Sequence, residues 1–572
     1  MRRILSYIKP VWPGILLAVL LSLGGNVAAL LGPRYSGLAI DCVSAGAGRV
    51  DIPQALRYAG LMAVCYALSF VLTFCLSVLM LRISRSVITQ MRQDVFEKLM
   101  TLPAYYFDTH PAGDIISRIS YDIDLLNTSL STDVVTICSS VISVVGALVM
   151  MLAISPPLVL VFCITIPLTI RITRRRARVV KPLFRVRSGK NGELNSFAEE
   201  NLTGMDTLKI YCQEENTMEE FRGVNRAAAD AAYEAEYMAA MMGPSVNLMN
   251  NVSITLISMF GALLFLRGRI TLGNISSFIL YSRKFSGPIN EAANMISEFQ
   301  SYMAAAERIF HLLDEEPERD LPEAGRPETV AGQVDFLHVD FGYQPEQPVL
   351  KDFCFRAEPG QVTAIVGPTG AGKTTIINLL MRFYDPQQGQ ILLDGTDIRL
   401  YRRTELRKRF AMVLQDSWLF QGTVGENIAY GRGKAEAWEV EEAARAAGIH
   451  EEIMKMPQGY DTMLTEDGLN LSKGQKQLLC IARAMLSSGQ ILILDEATSN
   501  VDTRTEKQIQ RAMLKLMEGK TCFVIAHRLS TIRNADHILV IRDGRIAEQG
   551  RHEELMKKKG IYWELYQSQF SC

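Results

Sequence analysis

Long stretches without a charged residue divide the first half of the chain. A transmembrane helix needs about 20 mostly apolar residues, and four charge-free runs exceed that length. They comprise 24, 24, 37 and 30 residues, at 10–33, 58–81, 134–170 and 237–266. The longest contains Ser155-Pro156-Pro157, which suits two spans joined by a tight turn, and a shorter apolar stretch follows at 270–282. The pattern predicts six spanning helices, at roughly 14–33, 59–81, 134–154, 157–173, 244–266 and 271–292.

The alternative is that these runs form buried core helices of a protein without a membrane domain. Core helices are usually shorter and carry a polar face, so the length of the runs favours membrane spans. The first run is too long for the apolar core of a signal peptide and lacks a small-residue cleavage site before more spans follow. It is therefore expected to be a retained span.

The average composition hides this division. Hydrophobic residues make up 48% of the 572 residues and charged residues 21%, with 60 Lys+Arg against 61 Asp+Glu. These values exclude a disordered chain, and the lack of a basic excess disfavours nucleic-acid binding. Ten scattered cysteines without a CxxC pair exclude a disulfide scaffold. The charges are nevertheless segregated: residues 1–312 carry 28 basic and 23 acidic residues, whereas 313–572 carry 32 and 38.

A basic segment predicts the orientation in the membrane. Residues 171–190 contain nine Lys/Arg and no acidic residue, and basic loops stay on the cytosolic side. With six spans, the N-terminus, the loops 82–133 and 174–243 and the C-terminal half then share the cytosol. Helical patterns in both loops predict that the spanning helices continue into the cytosol.

The second half has a different periodicity. The stretch DEEPERDLPEAGRPE (314–328) is acidic and Pro-rich, as is typical of a domain boundary. After it, short β-branched runs such as QVTAIV (361–366) and QILILD (490–495) alternate with helical stretches, which predicts an α/β domain with a mostly parallel sheet. We predict a transmembrane domain at 1–312, a linker at 313–330 and a second domain at 331–572.

A phosphate-binding loop is the strongest motif. GPTGAGKT, Gly367 to Thr374, matches GxxxxGK[ST] and lies between a predicted strand and a helix that begins near Lys373. Its glycines let backbone N–H groups surround phosphates, and the helix N-terminus adds a positive dipole. Lys373 is expected to reach the β- and γ-phosphates, and Thr374 to bind Mg²⁺.

Two carboxylates end a second apolar strand. ILILDE places Asp495 and Glu496 at this position. Asp495 suits a metal ion, bound directly or through water, and Glu496 is expected to polarise the attacking water. A merely solvated strand end is the alternative, but buried carboxylates at a strand end usually serve a cation or a reacting proton.

The order of further motifs resembles one family. The sequence LSKGQKQ (471–477) lies between the phosphate loop and Asp495, Gln415 lies in VLQD, and SNVD and then His527 in IAHR follow. This order resembles an ATP-binding-cassette (ABC) nucleotide-binding domain. The first half resembles the exporter-type membrane domain of that family, in FDTHPAGDIISRIS (107–120), EENLTGMDTLKIYCQEE (199–215) and AAAERIFHLLDEEPE (304–318). The resemblance implies an all-α six-helix transmembrane domain followed by an α/β P-loop ABC nucleotide-binding domain.

The resemblance also implies roles for individual residues. Tyr343, before the first core strand, is expected to stack on adenine, Glu496 to act as general base, and His527 to contact the γ-phosphate. The phosphates and Mg²⁺ are expected to contact Gly367, Pro368, Thr369, Gly370, Ala371, Gly372, Lys373, Thr374 and Thr375. Thr374, Gln415 and Asp495 are expected to support the metal. Gln415 is also expected to sense the attacking water and to couple to the membrane loops. Ser472, Gly474 and Gln475 would serve a second ATP held by a partner domain, with Asp502 in the connecting loop. ATP, Mg²⁺ and a second half-transporter are thus the expected cofactors and partner.

The sequence departs from the family pattern in two places, both in the signature segment that is expected to contact the ATP held by the partner. Lys473 stands at the third position of the usual LSGGQ, and TEDGLNLS (465–472) looks about three residues shorter than the usual segment. A lysine near a helix N-terminus opposes the dipole, although it could also approach phosphate. In asymmetric exporters of this family, one subunit keeps the glutamate but carries an altered signature, and EATSNVDTRTEKQIQ (496–510) resembles such subunits. We therefore favour a heterodimer over a homodimer, with harmless drift as the alternative.

These features predict ATP-driven export of a hydrophobic or amphipathic solute (a drug, lipid or peptide) by alternating access. A nucleotide-gated channel or sensor without uphill transport is the alternative. The expected location is the cell membrane, multi-pass and prokaryotic, with the N-terminus and the nucleotide-binding domain in the cytosol.

Two basic residues, Arg283 and Lys284, lie near the middle of the sixth predicted span. A charge at this depth costs roughly 2.5–3.5 kcal/mol, so each must face a wet cavity or a partner group. Either one contacts an anionic or zwitterionic substrate, or the pair is structural. If the substrate role holds, Arg283→Ala is expected to reduce transport of anionic but not cationic compounds in vesicle assays. Equal loss for all compounds would favour the structural role.

Overall fold

The structure divides into two compact units. The computed structural model describes residues 3, 6–7, 9–43, 50–326, 330–344, 346–414, 417–465, 471–495, 502–525 and 532–570, with backbone only at 289–300, 503 and 568–570. One unit comprises Met1–Met100 and Ala112–Glu315, and the other comprises Thr101–Pro111 and Glu316–Cys572. The second unit thus includes a short segment, Thr101–Pro111, that lies within the predicted transmembrane domain at 1–312.

Long helices make up the first unit. In chain order the helices are α1 (Trp12–Val43), α2 (Ile52–Thr101), α3 (Ala104–Thr109, in the second unit), α4 (Ala112–Ser117), α5 (Ile123–Thr128), α6 (Val134–Ile154), α7 (Pro156–Thr203), α8 (Met205–Ile210), α9 (Glu214–Ala240), α10 (Met242–Leu266) and α11 (Leu272–Asp314). At 1.5 Å per residue, the 50-residue α2 is about 75 Å long. A bilayer core is about 30 Å thick, so this helix extends well beyond it.

Among the described residues, five helical segments are long and apolar enough to span a membrane: Lys9–Val43, Ile52–Thr101, Ala112–Ile154, Pro156–Thr203 and Glu214–Leu266. At most 28% of their most apolar windows is buried within the chain. The remaining apolar surface faces outward, as expected for helices in contact with lipid or with another membrane subunit. The helix predicted as the sixth span is present as α11, but Arg283 and Lys284 interrupt its apolar stretch, so its spanning role stays a prediction.

The turn predicted within the longest charge-free run is present. Helix α6 ends at Ile154, and Ser155 is extended, with φ −160° and ψ 96°. Helix α7 begins at Pro156, where the missing proline N–H would have no partner in any case. The sequence therefore ends one helix and starts the next at the same point.

Small residues let α1 and α11 approach closely. A Cβ atom added at Gly37 would lie 2.5 Å from the carbonyl oxygen of Gly273, so only glycine fits. Two hydrogen bonds reinforce the contact: Tyr281 donates its hydroxyl to the Leu30 carbonyl (2.5 Å), and Ser277 donates to the Pro33 carbonyl (2.8 Å). Close backbone packing of this kind is typical of helices within a membrane.

In the part of the second unit that the structure describes, three sheets form the framework. The strands are β1 (Val334–Phe341), β2 (Leu350–Ala357), β3 (Val362–Val366), β4 (Gln388–Leu393), β5 (Thr396–Asp397), β6 (Phe410–Val413), β7 (Gly422–Thr423), β8 (Met463–Leu464), β9 (Ile491–Asp495), β10 (Thr521–Ile525), β11 (His537–Arg542) and β12 (Arg545–Gly550). Antiparallel pairing gives the order β2-β1-β4-β5, and β7 pairs with β8. The third sheet has the order β12-β11-β3-β10-β9-β6 and is parallel except for β12.

Helices flank these sheets. They are α12 (Lys373–Leu380), α13 (Arg403–Arg407), α14 (Val424–Ala429), α15 (Ala437–Ala446), α16 (His450–Met454), α17 (Lys473–Leu486), α18 (Thr503–Met517), α19 (His552–Lys558) and α20 (Ile561–Phe570). All five residues of β10 are buried, as expected for a parallel strand covered on both faces. The predicted α/β domain with a mostly parallel sheet is present, including the strands expected at 361–366 and 490–495. The antiparallel sheet was not predicted.

A buried ion pair links α11 to a π-helical turn in the first unit. Asp122 ends the π-helix Arg118–Asp122, and its side chain is only 3% exposed. Arg308 on α11 donates two bonds to this carboxylate, from Nε at 2.8 Å and from a terminal nitrogen at 2.5 Å. A buried carboxylate needs such a partner, because its desolvation is otherwise uncompensated.

Arg308→Ala is expected to destabilise the first unit by ~2–3 kcal/mol, because Asp122 loses two charge-assisted hydrogen bonds. Arg92→Ala is the matched control: Arg92 pairs with Asp124 at 2.7 Å, but both side chains are exposed (47% and 61%), so a loss below ~1 kcal/mol is expected. Denaturant unfolding of the purified protein in detergent measures both. Equal losses would contradict the structural importance of the buried pair.

Candidate functional site

Four candidate segments follow neighbouring strands of the parallel sheet. The loop Gly367–Gly372 follows β3, Asp495 ends β9, and β10 lies between these strands in parallel register with both. The carboxyl ends of parallel strands meet at one edge of a sheet, where ligands bind in open α/β folds. His527 follows β10, Glu496 follows β9, and Gln415 follows β6, but these three residues lie outside the described part of the chain. The order of the strands therefore brings the phosphate loop, Asp495 and the carboxyl ends of β10 and β6 to one edge.

The phosphate loop depends on glycine at three positions. Gly370 and Gly372 have φ of +81° and +100°, in the left-handed region that glycine adopts without strain. A Cβ atom on Gly367 would collide with the carbonyl oxygen of Ile541. Gly372 precedes the first residue of α12, Lys373. The loop thus brings its backbone against the start of a helix, where N–H groups and the helix dipole favour an anion.

Lys373 folds back over this loop. Its ammonium donates to the carbonyls of Gly367 (2.8 Å) and Pro368 (3.0 Å). Burial lowers the pKa of Lys373, and the negative charge of Asp495 opposes that shift. The carboxylate at the end of β9 is therefore near enough to act on the loop lysine, although the two segments are more than 100 residues apart in the sequence.

The residues around the loop offer ligands of the kind that Mg²⁺ prefers. Thr374 contributes a hydroxyl in the first turn of α12, and Asp495 contributes a carboxylate. Hard oxygen donors of this kind, together with phosphate oxygens, suit Mg²⁺ rather than a softer metal. Thr375 differs: its side chain is buried, and its hydroxyl lies 3.3 Å from the hydroxyl of Tyr343. Its contact is thus with the aromatic residue predicted to stack on adenine.

Tyr343 is held by polar and aromatic neighbours. It lies between β1 and β2 and is 41% exposed. Asn378 donates an amide N–H to its hydroxyl at 3.1 Å. Phe341 and Tyr384 meet its ring edge-on, with centroids 5.2 and 5.1 Å away. The ring is therefore fixed in orientation and still accessible to a planar base.

Tyr384 was not predicted from the sequence, and it joins Tyr343 to the short helix α3. Its hydroxyl donates to the carboxylate of Asp108, and its ring meets that of Tyr105 at 6.5 Å. Burial, together with the hydrogen bond to Asp108, raises the pKa of Tyr384, so the phenol stays protonated and continues to donate. A tyrosine in FYDP carries no motif, so only the three-dimensional contact identifies it.

The residues assigned to a partner's ATP lie on a different helix. Ser472 caps α17: its hydroxyl accepts from the Gln475 N–H (3.2 Å), and Gln475 accepts from the Ser472 N–H (2.9 Å). Gly474 is buried, and Lys473, the altered signature residue, is the first residue of the helix and is exposed. Helix α17 packs against α14, α15 and α18. Its N-terminus is therefore a formed, capped element with a lysine at its first position.

Asp502 is also a cap, at the start of α18. Its carboxylate accepts from the N–H groups of Thr505 and Arg504, each at 3.0 Å. These bonds hold the pKa of Asp502 below its usual range.

The two basic residues predicted to lie in the sixth span are on α11, in the other unit. Arg283 is exposed and Lys284 is half-buried.

Comparisons with known proteins agree with these features. Residues 15–289 match the family model of the ABC transporter transmembrane region, and residues 350–499 match that of the ABC transporter. A Bacillus subtilis (strain 168) protein, "Uncharacterized ABC transporter ATP-binding protein YfiC", is 41% identical over 571 residues, covering 100% of this chain and 94% of that protein. A "Fatty acid ABC transporter ATP-binding/permease protein" from Mycobacterium bovis (strain ATCC BAA-935 / AF2122/97) is 45% identical over 476 residues, covering 83% and 75%.

A solved structure, "Structure of a bacterial Atm1-family ABC exporter with ATP bound", aligns with a TM-score of 0.79 and 31% identity over 98% of both chains. The predicted fold class, ATP binding and transport-coupled ATPase activity are confirmed by these findings. They also confirm a multi-pass membrane protein with a cytoplasmic nucleotide-binding domain. The chain belongs to the ABC transporter family and is an ATP-driven exporter.

Proposed function

We propose that the chain is one half of a dimeric exporter that binds Mg²⁺-ATP between two nucleotide-binding domains and moves an amphipathic solute. The convergence of the phosphate loop, Asp495 and the strand ends before Glu496 and His527 at one sheet edge is the observation that carries this proposal. The signature residues Ser472–Gln475, at the capped start of α17, would contact ATP held by a second subunit, as the family resemblance implies. Each chain would then complete the ATP site of its partner.

Each of the site residues would have a separate role in ATP hydrolysis. Mg²⁺, held by Thr374 and Asp495, would neutralise charge on the phosphates. Lys373 would exchange its bonds to loop carbonyls for phosphate oxygens, and the loop N–H groups would hold the remaining oxygens. Glu496 would take a proton from the attacking water, Gln415 would orient that water, and His527 would contact the γ-phosphate. Tyr343 would hold the base by stacking.

Glu496→Gln is expected to reduce ATP turnover about 100-fold or more, because general-base catalysis contributes that much, while ATP stays bound. Glu518→Gln makes the same chemical change at an exposed position and is the control. Steady-state phosphate release and retained nucleotide are measured on the purified protein. A rate near wild type in Glu496→Gln would contradict the assignment of the base.

The ATPase rate of the chain expressed alone tests whether its partner is a different subunit or a second copy. Lys473 and the shortened segment before it favour a heterodimer, in which the partner supplies an intact signature to this chain's ATP. The chain expressed alone is then expected to turn over ATP slowly. Robust turnover by the chain alone, abolished by Glu496→Gln, would contradict the heterodimer and support a homodimer.

We also propose that Tyr384 couples the segment Thr101–Pro111 to the nucleotide site. Its residues 107–111 begin the stretch FDTHPAGDIISRIS (107–120), which resembles the family's first intracellular coupling segment. The contacts of Tyr384 with Asp108 and Tyr343 support the link. Gln415, to which the family resemblance also assigns coupling to the membrane loops, lies outside the described residues. Tyr384 would act as a positioning residue, because it reaches the nucleotide only through the ring of Tyr343.

Tyr384→Phe is expected to keep ATP affinity, since the ring contacts with Tyr343 remain, and to lower solute moved per ATP hydrolysed about fivefold. This is the effect of losing one hydrogen bond of ~1 kcal/mol. Tyr430→Phe, at an exposed tyrosine elsewhere in the same unit, is the control. Transport and ATPase rates are measured on the same vesicles. An unchanged ratio of the two would contradict the coupling role.

A cavity in the membrane unit supports an amphipathic substrate. Its volume is about 520 Å³, within the range of small-ligand sites. Nine of its twelve lining residues have polar uncharged side chains: Asn26, Thr73, Ser77, Ser131, Thr132, Thr136, Ser139, Ser140 and Ser143. Neither Arg283 nor Lys284 is in this lining, so a role for them in binding anionic solutes stays a separate proposal, tested by Arg283→Ala. The hydroxyl-rich lining suits a polar headgroup, and the surrounding apolar helices suit a hydrophobic tail.

A further inference from the structure

A second cluster of metal-ligating side chains lies on the antiparallel sheet, outside the ATP site. His338 is on β1, and Asp352 and Cys354 are on the neighbouring strand β2. Residues two apart on a strand face the same side, so Asp352 and Cys354 both approach His338. In the described part of the chain, this is the one group of three such residues with ligand atoms within 4.8 Å of one another. We propose that these residues bind a single Zn²⁺ ion.

The distances among the three ligand atoms are close to those around a zinc ion. His338 Nδ1 lies 2.6 Å from Asp352 Oδ1 and 3.4 Å from Cys354 Sγ, and Sγ lies 4.0 Å from Oδ1. With tetrahedral geometry and usual Zn–N, Zn–O and Zn–S bonds, ligand atoms are separated by about 3.4–3.6 Å. Two of the three separations lie within half an ångström of this range. The third is a hydrogen bond, and it would open when the ion replaces the shared proton.

Convergence on one nitrogen favours a metal site over a catalytic relay. A nucleophile–base–carboxylate relay uses the two ring nitrogens of histidine, one for each partner. Here the thiol and the carboxylate both approach Nδ1 of His338. Three donors that surround one point are the arrangement that a cation requires.

The backbone holds these side chains in place. His338 and Asp352 have φ of +49° and +50°, an uncommon conformation for residues other than glycine. It coincides with register shifts between β1 and β2, on both sides of Val339. The N–H of His338 donates to Cys354 Sγ at 3.3 Å, and the N–H of Asp352 donates to Asp340 at 2.8 Å. Hydrogen bonds to ligand atoms and their neighbours are typical supports of metal sites.

The donor set and its exposure indicate which ion binds. One imidazole nitrogen, one thiolate and one carboxylate form a set that zinc accepts, whereas Mg²⁺ and Ca²⁺ prefer oxygen alone. The side chains of His338 and Asp352 are 80% and 65% exposed, so an ion can enter from solvent and keep a water as fourth ligand. This site is therefore chemically distinct from the oxygen ligands proposed at the phosphate loop.

Cobalt substitution tests the proposal directly. The full-length protein, purified in detergent without an affinity tag and without nucleotide, is titrated with Co²⁺ in excess Mg²⁺, which occupies oxygen-only sites. A thiolate-to-cobalt charge-transfer band that saturates at one Co²⁺ per chain and disappears on addition of Zn²⁺ is expected. His338→Ala and Cys354→Ser are expected to weaken Co²⁺ binding at least tenfold, since even loss of a supporting contact costs 10–100-fold in metal affinity.

Cys212→Ser is the matched control, because Cys212 is also an exposed free cysteine but lies in the other unit. It is expected to keep the band unchanged. A thermal shift supplies a second readout: Zn²⁺ is expected to raise the Tm of the wild type and of Cys212→Ser but not of His338→Ala. Absence of the band, or a band that survives Cys354→Ser, would overturn the proposal and leave adventitious binding only.

Discussion

The parallel pairing of β3, β10 and β9 is the constraint on which the nucleotide site depends. These strands are buried on both faces, and their register places Ile365 beside Ile525 and Ile525 beside Asp495. Because the pairing is parallel, every strand ends at the same edge. The phosphate loop and the carboxylate of Asp495 are thereby brought together, although each is supplied by a different part of the sequence. The negative charge of Asp495 accordingly opposes the lowering of the Lys373 pKa that burial causes.

Much of this site could be predicted because its chemistry is local. A glycine-rich loop between a strand and a helix needs particular residues at fixed spacing, and Gly370 and Gly372 adopt the conformations that the motif requires. The Pro156 turn and the apolar helices were also predictable, since each depends on neighbours in the sequence. The predicted strands at 361–366 and 490–495 are present for the same reason.

The remainder depends on contacts between distant residues. Tyr384 meets Asp108 across 276 positions, and no spacing rule indicates that pair. The antiparallel sheet was missed because its strands contain charged and polar residues that weaken the apolar pattern, as in LKDFCFRA of β2. The cluster of His338, Asp352 and Cys354 could not be predicted from the sequence either, because an irregular strand pairing, rather than a ligand motif, brings the residues together.

Uphill transport separates an exporter from a nucleotide-gated channel, which shares the same ATP-binding elements. The most direct measurement is uptake of a fluorescent amphiphile into inside-out vesicles that contain the chain and, where one is required, its partner. Accumulation above the external concentration is expected with Mg²⁺-ATP and not with a non-hydrolysable ATP analogue. Equilibration to the external concentration, or equal uptake with the analogue, would contradict ATP-driven export.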